Sequence, residues 1–191
     1  MTGTGHAVPI LSLACVTGLV NEWAAVPQRV SSRPWAGYPD GTSAQRRSLE
    51  AEWGSARDAG PAPDDAAVVA AADAVHPVFA AAGAGRARRL DELLASLGVV
   101  PRVVSAGDGL ALAWAVPRSS DRLTAGMALA LLPGPADGRP ARLGTCGADD
   151  CADVFADVSP RRDRAYCSPR CQARQGARLR RARPGAAGAS R

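Results

Sequence analysis

Apolar and polar positions change their period along the chain, and the changes mark its elements. From Val8 to Val26 apolar residues are nearly continuous, which reads as a helix packed into a core. Pro27 to Thr42 is rich in turn residues and reads as a surface loop. Ser43 to Ala59 returns to helix: Leu49 and Trp53 stand four apart, Thr42 is a plausible N-cap, and Gly60-Pro61 is the stop. Asp64 and Asp65 open an alanine-rich helix through about Ala82, where His76-Pro77 predicts a kink or a division into two shorter helices. Gly83 to Gly85 reads as a break. Arg86 to Leu97 then carries a helical stripe of Leu90, Leu93, Leu94 and Leu97. The period next falls to two: Arg102–Ala106 and Leu110–Val116 flank Gly107-Asp108-Gly109, a strong hairpin signal. Asp121 to Leu132 is helical again behind a Ser119 or Ser120 cap, and a Pro/Gly linker follows to residue 140.

These elements predict a mainly α chain with a small β-hairpin, an α+β fold. Residues 1–140 form a helical domain, 141–184 a cysteine-bearing module, and 185–191 a disordered Gly/Ala-rich tail. There is no internal repeat. Apolar content is 47% but only 4% is aromatic, so the core must be built mostly from Ala, Val and Leu. No apolar run approaches the roughly 20 residues that a bilayer crossing needs. The apolar start has no positive residue ahead of it and reads on as helix, so export is set aside and a reducing cytoplasm is expected.

Four of the five cysteines lie within 26 residues, in the order Cys146, Cys151, Cys167, Cys171, spaced C-x4-C-x15-C-x3-C. Two thiolate pairs, each from a tight turn or a helix start, suit one tetrahedral zinc ion. Val154 to Val158 alternates as a strand, Ser159 to Asp163 turns, and Arg164 to Tyr166 leads back to Cys167, so the hairpin is expected between the two pairs. Ser168-Pro169 opens a helix and puts Cys171 in its first turn, where the helix N-terminus favours thiolate. Four Cys leave no open coordination position, so the zinc is structural. Two disulfides, or four unrelated thiols, are the alternatives. Metal removal is expected to unfold residues 142–183 and spare the helices upstream.

At these residues the chain resembles the CGNR zinc finger family. Phe155, Asp157, Ser159, Arg164, Tyr166, Cys167, Ser168, Cys171 and Arg174 match its pattern over about residues 142–183, while Gln172-Ala173 replaces the signature's Gly-Asn. The first 140 residues resemble the ABATE domain that precedes such fingers: Leu19-Val20-Asn21 is similar to its opening motif. The resemblance implies a stress-induced transcription regulator.

Charge gives that implication a physical basis. No lysine occurs, and all 23 basic residues are arginine. Residues 161–191 hold ten Arg against one acid, whereas the rest of the chain holds thirteen Arg against seventeen acids. A basic end on a mildly acidic body is the asymmetry of a nucleic-acid binder. On the last helix Arg170, Arg174, Arg178 and Arg181 recur at helical spacing, with Leu179 and Ala173 expected to face inward. Double-stranded DNA is therefore the expected partner, contacted by these four and by Arg161, Arg162 and Arg164. Two other readings stand beside it: an arginine face that is only solvated, since the all-Arg composition is that of a GC-rich coding sequence, and a zinc-stabilised protein-interaction module. RNA is disfavoured because Tyr166 and Phe155 are the only aromatics available to stack. The sequence is compatible with a homodimer and with a small-molecule effector at the N-terminal domain, and identifies neither. An enzyme is not expected. His6 and His76 are far apart, Cys15 reads as a buried hydrophobe, and Gly83-Ala84-Gly85-Arg86 lacks the strand and spacing of a phosphate loop.

Overall fold

The computed structural model describes residues 5–30, 43–56, 60–132 and 140–182. The expected surface loop, the Thr42 cap, the Pro/Gly linker and the tail lie mostly or wholly outside these residues.

The fold is mainly helical, with two small antiparallel sheets. The long apolar start is helical only from Leu13, as α1 (Leu13–Trp23), and after Ala24 turns extended a second helix, α2 (Ala25–Val30), takes up the first residues of the expected loop. Ser12 caps α1 by accepting from Cys15 N, and Glu52 accepts from both the amide and the hydroxyl of Ser12 at 2.6 and 2.7 Å. Asp73 accepts from Ala25 N at 2.7 Å and so caps α2 from another helix. Helix α3 (Ala44–Ser55) is capped by Ser43, and it buries Leu49 and Trp53 as their spacing predicts.

Helix α4 (Asp65–Ala80) runs unbroken through Pro77. The two-helix expectation therefore fails. Pro77 stands on the exposed side, while Val75, His76, Val78 and Phe79 are buried around it. Burial of that face outweighs the roughly 3 kcal/mol that an internal proline costs. Helix α5 (Gly83–Ser96) starts at the glycines expected to form a break; Leu90 is buried and Leu93 and Leu94 pack partly against the core.

Strands β2 (Val100–Ala106) and β3 (Gly109–Val116) form the predicted hairpin, with Gly107 at φ +57° in its turn. A strand not foreseen, β1 (His6–Ala7), pairs with the far edge of β3, giving the order β1-β3-β2. After a short 3-10 turn at Ser119–Asp121, helix α6 (Arg122–Leu129) follows without the expected serine cap. Leu123, Met127 and Ala128 of α6 join α1, α3 and α4 in one core around Trp23, Phe79 and Leu19.

The second sheet is a ribbon of β4 (Arg142–Thr145) and β5 (Val154–Asp157). The partner of β5 thus lies upstream, at 142–145, and not at 164–166 as its sequence suggests. Leu143 and Val154, one from each strand, are buried in the same core as α1 and α4. Three polar links reinforce that contact. Asn21 of α1 treats Val154 as a strand neighbour: its Oδ1 accepts from Val154 N at 2.6 Å and its Nδ2 donates to Val154 O at 3.0 Å. His76 Nε2 lies 3.3 Å from Ala152 O. Arg86 donates to Val78 O and Phe79 O at the end of α4, and to Leu143 O at 2.8 Å. A guanidinium suits a helix C-terminus, and this one also binds the ribbon there.

Candidate metal centre

Between β4 and β5 the chain makes the first knuckle. Cys146 N donates to Asp153 O at 2.7 Å, and Cys151 N donates to Ala148 O at 3.1 Å, so both thiols sit in one tight connection. The second pair comes from the start of helix α7 (Pro169–Ala182). Ser168 Oγ accepts from Cys171 N at 3.3 Å, the capping geometry that Ser168-Pro169 predicts. Gly147 N donates to Ala165 O at 2.8 Å, which brings the two halves together.

The four thiols converge. The Sγ atoms of Cys146, Cys151, Cys167 and Cys171 all lie within 4.8 Å of one another. Three of the separations are 3.7 Å (Cys151–Cys167), 3.5 Å (Cys167–Cys171) and 3.8 Å (Cys171–Cys151). A tetrahedron with zinc–sulfur bonds of about 2.3 Å has edges of about 3.8 Å. The donor set therefore fits one zinc ion, and none of the five cysteines is in a disulfide. Cys146, Cys151 and Cys171 are buried and Cys167 is half-buried. Burial pushes the Cys151 thiol up to about 12 and raises that of Cys167 as well. For Cys171 burial acts upward too, but hydrogen bonds from Ser168 and the neighbouring thiols bring it below the ordinary value. Cys151 and Cys167, so desolvated, ionise readily only with a cation to bind.

The knuckle is acidic, and arginines of α7 answer its charge. Asp150 receives Arg174 and Arg178, each with a terminal nitrogen at 2.8 Å. Arg174 also donates to Cys171 Sγ at 3.4 Å. Buried Gln175 donates to Asp149 Oδ2 at 2.9 Å. The inner face of α7 is therefore Cys171 and Gln175, flanked by Arg174 and Arg178. Leu179, expected to face inward, is 56% exposed, and Ala173 is exposed as well. The apolar residue lost the inner face to polar ones because the surface it would meet is made of aspartates and thiols.

The loop from β5 to Cys167 is organised by Asp157, which is buried. Its carboxylate accepts from Ser159 N and Arg164 N, both at 3.0 Å, and a hydrogen bond from the Ser159 side chain, followed by these backbone bonds, holds it below the usual carboxylate range. Ser159 Oγ in turn accepts from Arg162 N at 3.2 Å, and Arg162 is at φ +52°, the left-handed region. The guanidinium of Arg164 donates to Tyr166 O and Cys167 O, and it lies 5.5 Å from the Phe155 ring centre, with that of Arg142 at 5.4 Å from the same ring. Gly144 sits opposite Phe155 in the ribbon, where a Cβ would come within 2.8 Å of the ring.

The seven arginines expected at a nucleic acid thus divide. Arg164, Arg174 and Arg178 are used inside the module. Arg161, Arg162, Arg170 and Arg181, together with Arg180, make no ion pair among the described residues, and all but half-buried Arg162 are exposed. Sequence reasoning missed Asp150 and Gln175, and it placed Asn21 in a motif without finding its role. Only Asn21 stood out, as the single asparagine of the chain.

Residues 142–184 match the CGNR zinc finger family model, which spans the ribbon, all four cysteines and α7. No curated protein matches the chain. Among the described residues no helix is long and apolar enough to cross a membrane.

Proposed function

We propose that the protein is a DNA-binding transcription regulator in which a structural zinc ion rigidly mounts an arginine-bearing helix and turn for contact with duplex DNA. One observation carries the reading: Asp150 of the zinc knuckle is paired from within by Arg174 and Arg178, while Arg161, Arg170, Arg180 and Arg181 remain exposed without an ion pair among the described residues. Free guanidinium groups on a fixed frame can bind phosphates and reach guanine edges without first breaking internal bonds. The helical domain, whose helix–hairpin–helix order is that of an ABATE-like region, would regulate this surface. A protein with four thiolate ligands belongs in a reducing compartment, and the cytoplasm is the proposed one. The reading is of a binding protein and not of an enzyme, since the cysteine set leaves no coordination position for a substrate.

Selection of random duplexes by the zinc-loaded protein at about 0.15 M salt tests it. An enriched sequence in the retained pool is the expected outcome, and palindromy in it would indicate a dimer. Absence of retention would reject the reading.

A protein-interaction role is the second reading, and one observation favours it. The even-numbered face of β3 begins in a core at Val116 and continues outward as Trp114, Leu112 and Leu110, the last two 63% and 80% exposed. Val103 pairs with Leu112 on the same face and is 72% exposed. Apolar surface of this kind marks contact sites in soluble proteins. Retention of a protein partner by the wild-type chain but not by a Leu110→Ser/Leu112→Ser variant would support it.

A further inference from the structure

Arg174 stands apart from the other arginines of α7. Its side chain is 37% exposed, and its contacts among the described residues, with Asp150 and Cys171, are inside the module. One terminal nitrogen reaches both Cys171 Sγ, at 3.4 Å, and Asp150 Oδ1, at 2.8 Å, while Nε reaches the same carboxylate oxygen at 3.1 Å. Arg178 holds the other oxygen of Asp150 at 2.8 Å. Asp150 belongs to the Cys146–Cys151 connection and Arg174 to the helix that bears Cys171. The pair therefore spans the two halves of the ligand set.

The chemistry of the site gives this contact a purpose. Zinc with four thiolates carries a net charge of about −2, and Asp149, Asp150 and Asp153 stand in the same knuckle. A cation donating to one sulfur draws charge from it, lowers its nucleophilicity and fixes its orientation. Phosphate binding by Arg174 would require breaking its contacts with Asp150 and with the sulfur.

We propose that Arg174 is a positioning residue of the zinc centre, which stabilises the Cys171 thiolate directly and locks the knuckle to α7 through Asp150. The proposal rests on the metal centre alone and is independent of DNA binding.

The test uses the full chain loaded with zinc, or with cobalt(II) in its place, and compares wild type with Arg174→Met, Arg174→Lys, Asp150→Asn and Arg178→Ala. Transfer of zinc to a chromogenic chelator should be about tenfold or more faster in Arg174→Met, the usual scale for losing a partner of a metal ligand. Arg174→Lys should recover part of the loss, and Asp150→Asn should fall between. Iodoacetamide, located by peptide mass, should modify Cys171 of the zinc-loaded Arg174→Met protein ahead of the other ligands. The thiolate-to-cobalt charge-transfer band should move in Arg174→Met and stay in place in Arg178→Ala, a distinction that a general loosening of the helix would not make. The salt dependence of DNA binding by zinc-saturated Arg174→Met should match wild type. Wild-type transfer rate, alkylation and cobalt spectrum in Arg174→Met would overturn the proposal. If that variant takes up no metal, Asp150→Asn decides: faster transfer than wild type supports the proposal, and an equal rate overturns it.

Discussion

Asn21 links the α1 helix to a strand 133 residues away, and both halves of its amide are used on one residue, Val154. Asn21→Ala would leave a backbone amide and a carbonyl without those partners. A loss of about 1–3 kcal/mol in urea unfolding is expected, with zinc still bound. Asn21→Asp keeps the acceptor but sets a carboxylate oxygen against Val154 O, so it should not recover the loss at neutral pH. Cys15 makes a second residue-scale prediction. Burial, with Glu52 adding to it, pushes its thiol from an ordinary 9.0 up to about 11. The folded state favours the protonated form, so its contribution to stability is complete below pH 9 and is lost as pH rises from there to about 11. Native protein at neutral pH should leave Cys15 unalkylated while denatured protein reacts, as mass spectrometry would record. The cysteine ligands were legible because metal chemistry imposes their spacing. The role of Asn21 was not, because its partner is distant in sequence and the bond goes to backbone, which carries no residue signature. The matching Asp157 and Ser159 could be read as a pattern, but only the folded loop shows why they are there: each accepts an amide of the turn that returns the chain to Cys167.

At the scale of elements, period located most of the helices and the expected start of α4 at Asp64 is capped as predicted, while the Ser119 or Ser120 cap of α6 did not form; the predicted hairpin of β2 and β3 did. The partner of β5 was misjudged. Arg142-Leu143-Gly144-Thr145 is short and contains glycine, so it has little strand character of its own, and it pairs because Phe155 needs the open space over Gly144. Tertiary packing likewise carried α4 across Pro77. The ribbon's buried side chains allow a direct check. Val154→Ala removes two methyl groups from a residue 1% exposed and should cost about 2 kcal/mol. It should also weaken zinc retention, since Val154 follows Cys151 by three residues. Leu110→Ser, at the solvent end of β3, should leave the melting temperature nearly unchanged. A comparable loss at both positions would argue against the shared core.

At the scale of the molecule, the metal module and the helical domain meet in one core. Read in sequence alone, the module looked separable, because its ligands and its basic helix are contiguous and a Pro/Gly linker precedes them. Leu143, Val154, Asn21, His76 and Arg86 instead join the ribbon to α1 and α4. Removing zinc with a strong chelator should therefore lower the melting temperature of the helices as well as unfold α7, with loss of amide protection in α1 and α4 facing the ribbon. A helical transition indifferent to chelation would mean that the two parts fold independently. The same junction offers a route by which a change in the helical domain could reach the zinc-mounted arginines. That route matters only if those arginines bind nucleic acid, and one titration tests this most directly: fluorescence anisotropy of a labelled duplex with zinc-loaded protein across a range of salt. The account predicts binding that weakens linearly on a logarithmic salt axis, with the slope reduced by roughly two to three in an Arg170→Ala/Arg180→Ala/Arg181→Ala variant. No binding at low salt, or a slope unchanged in that variant, would contradict it.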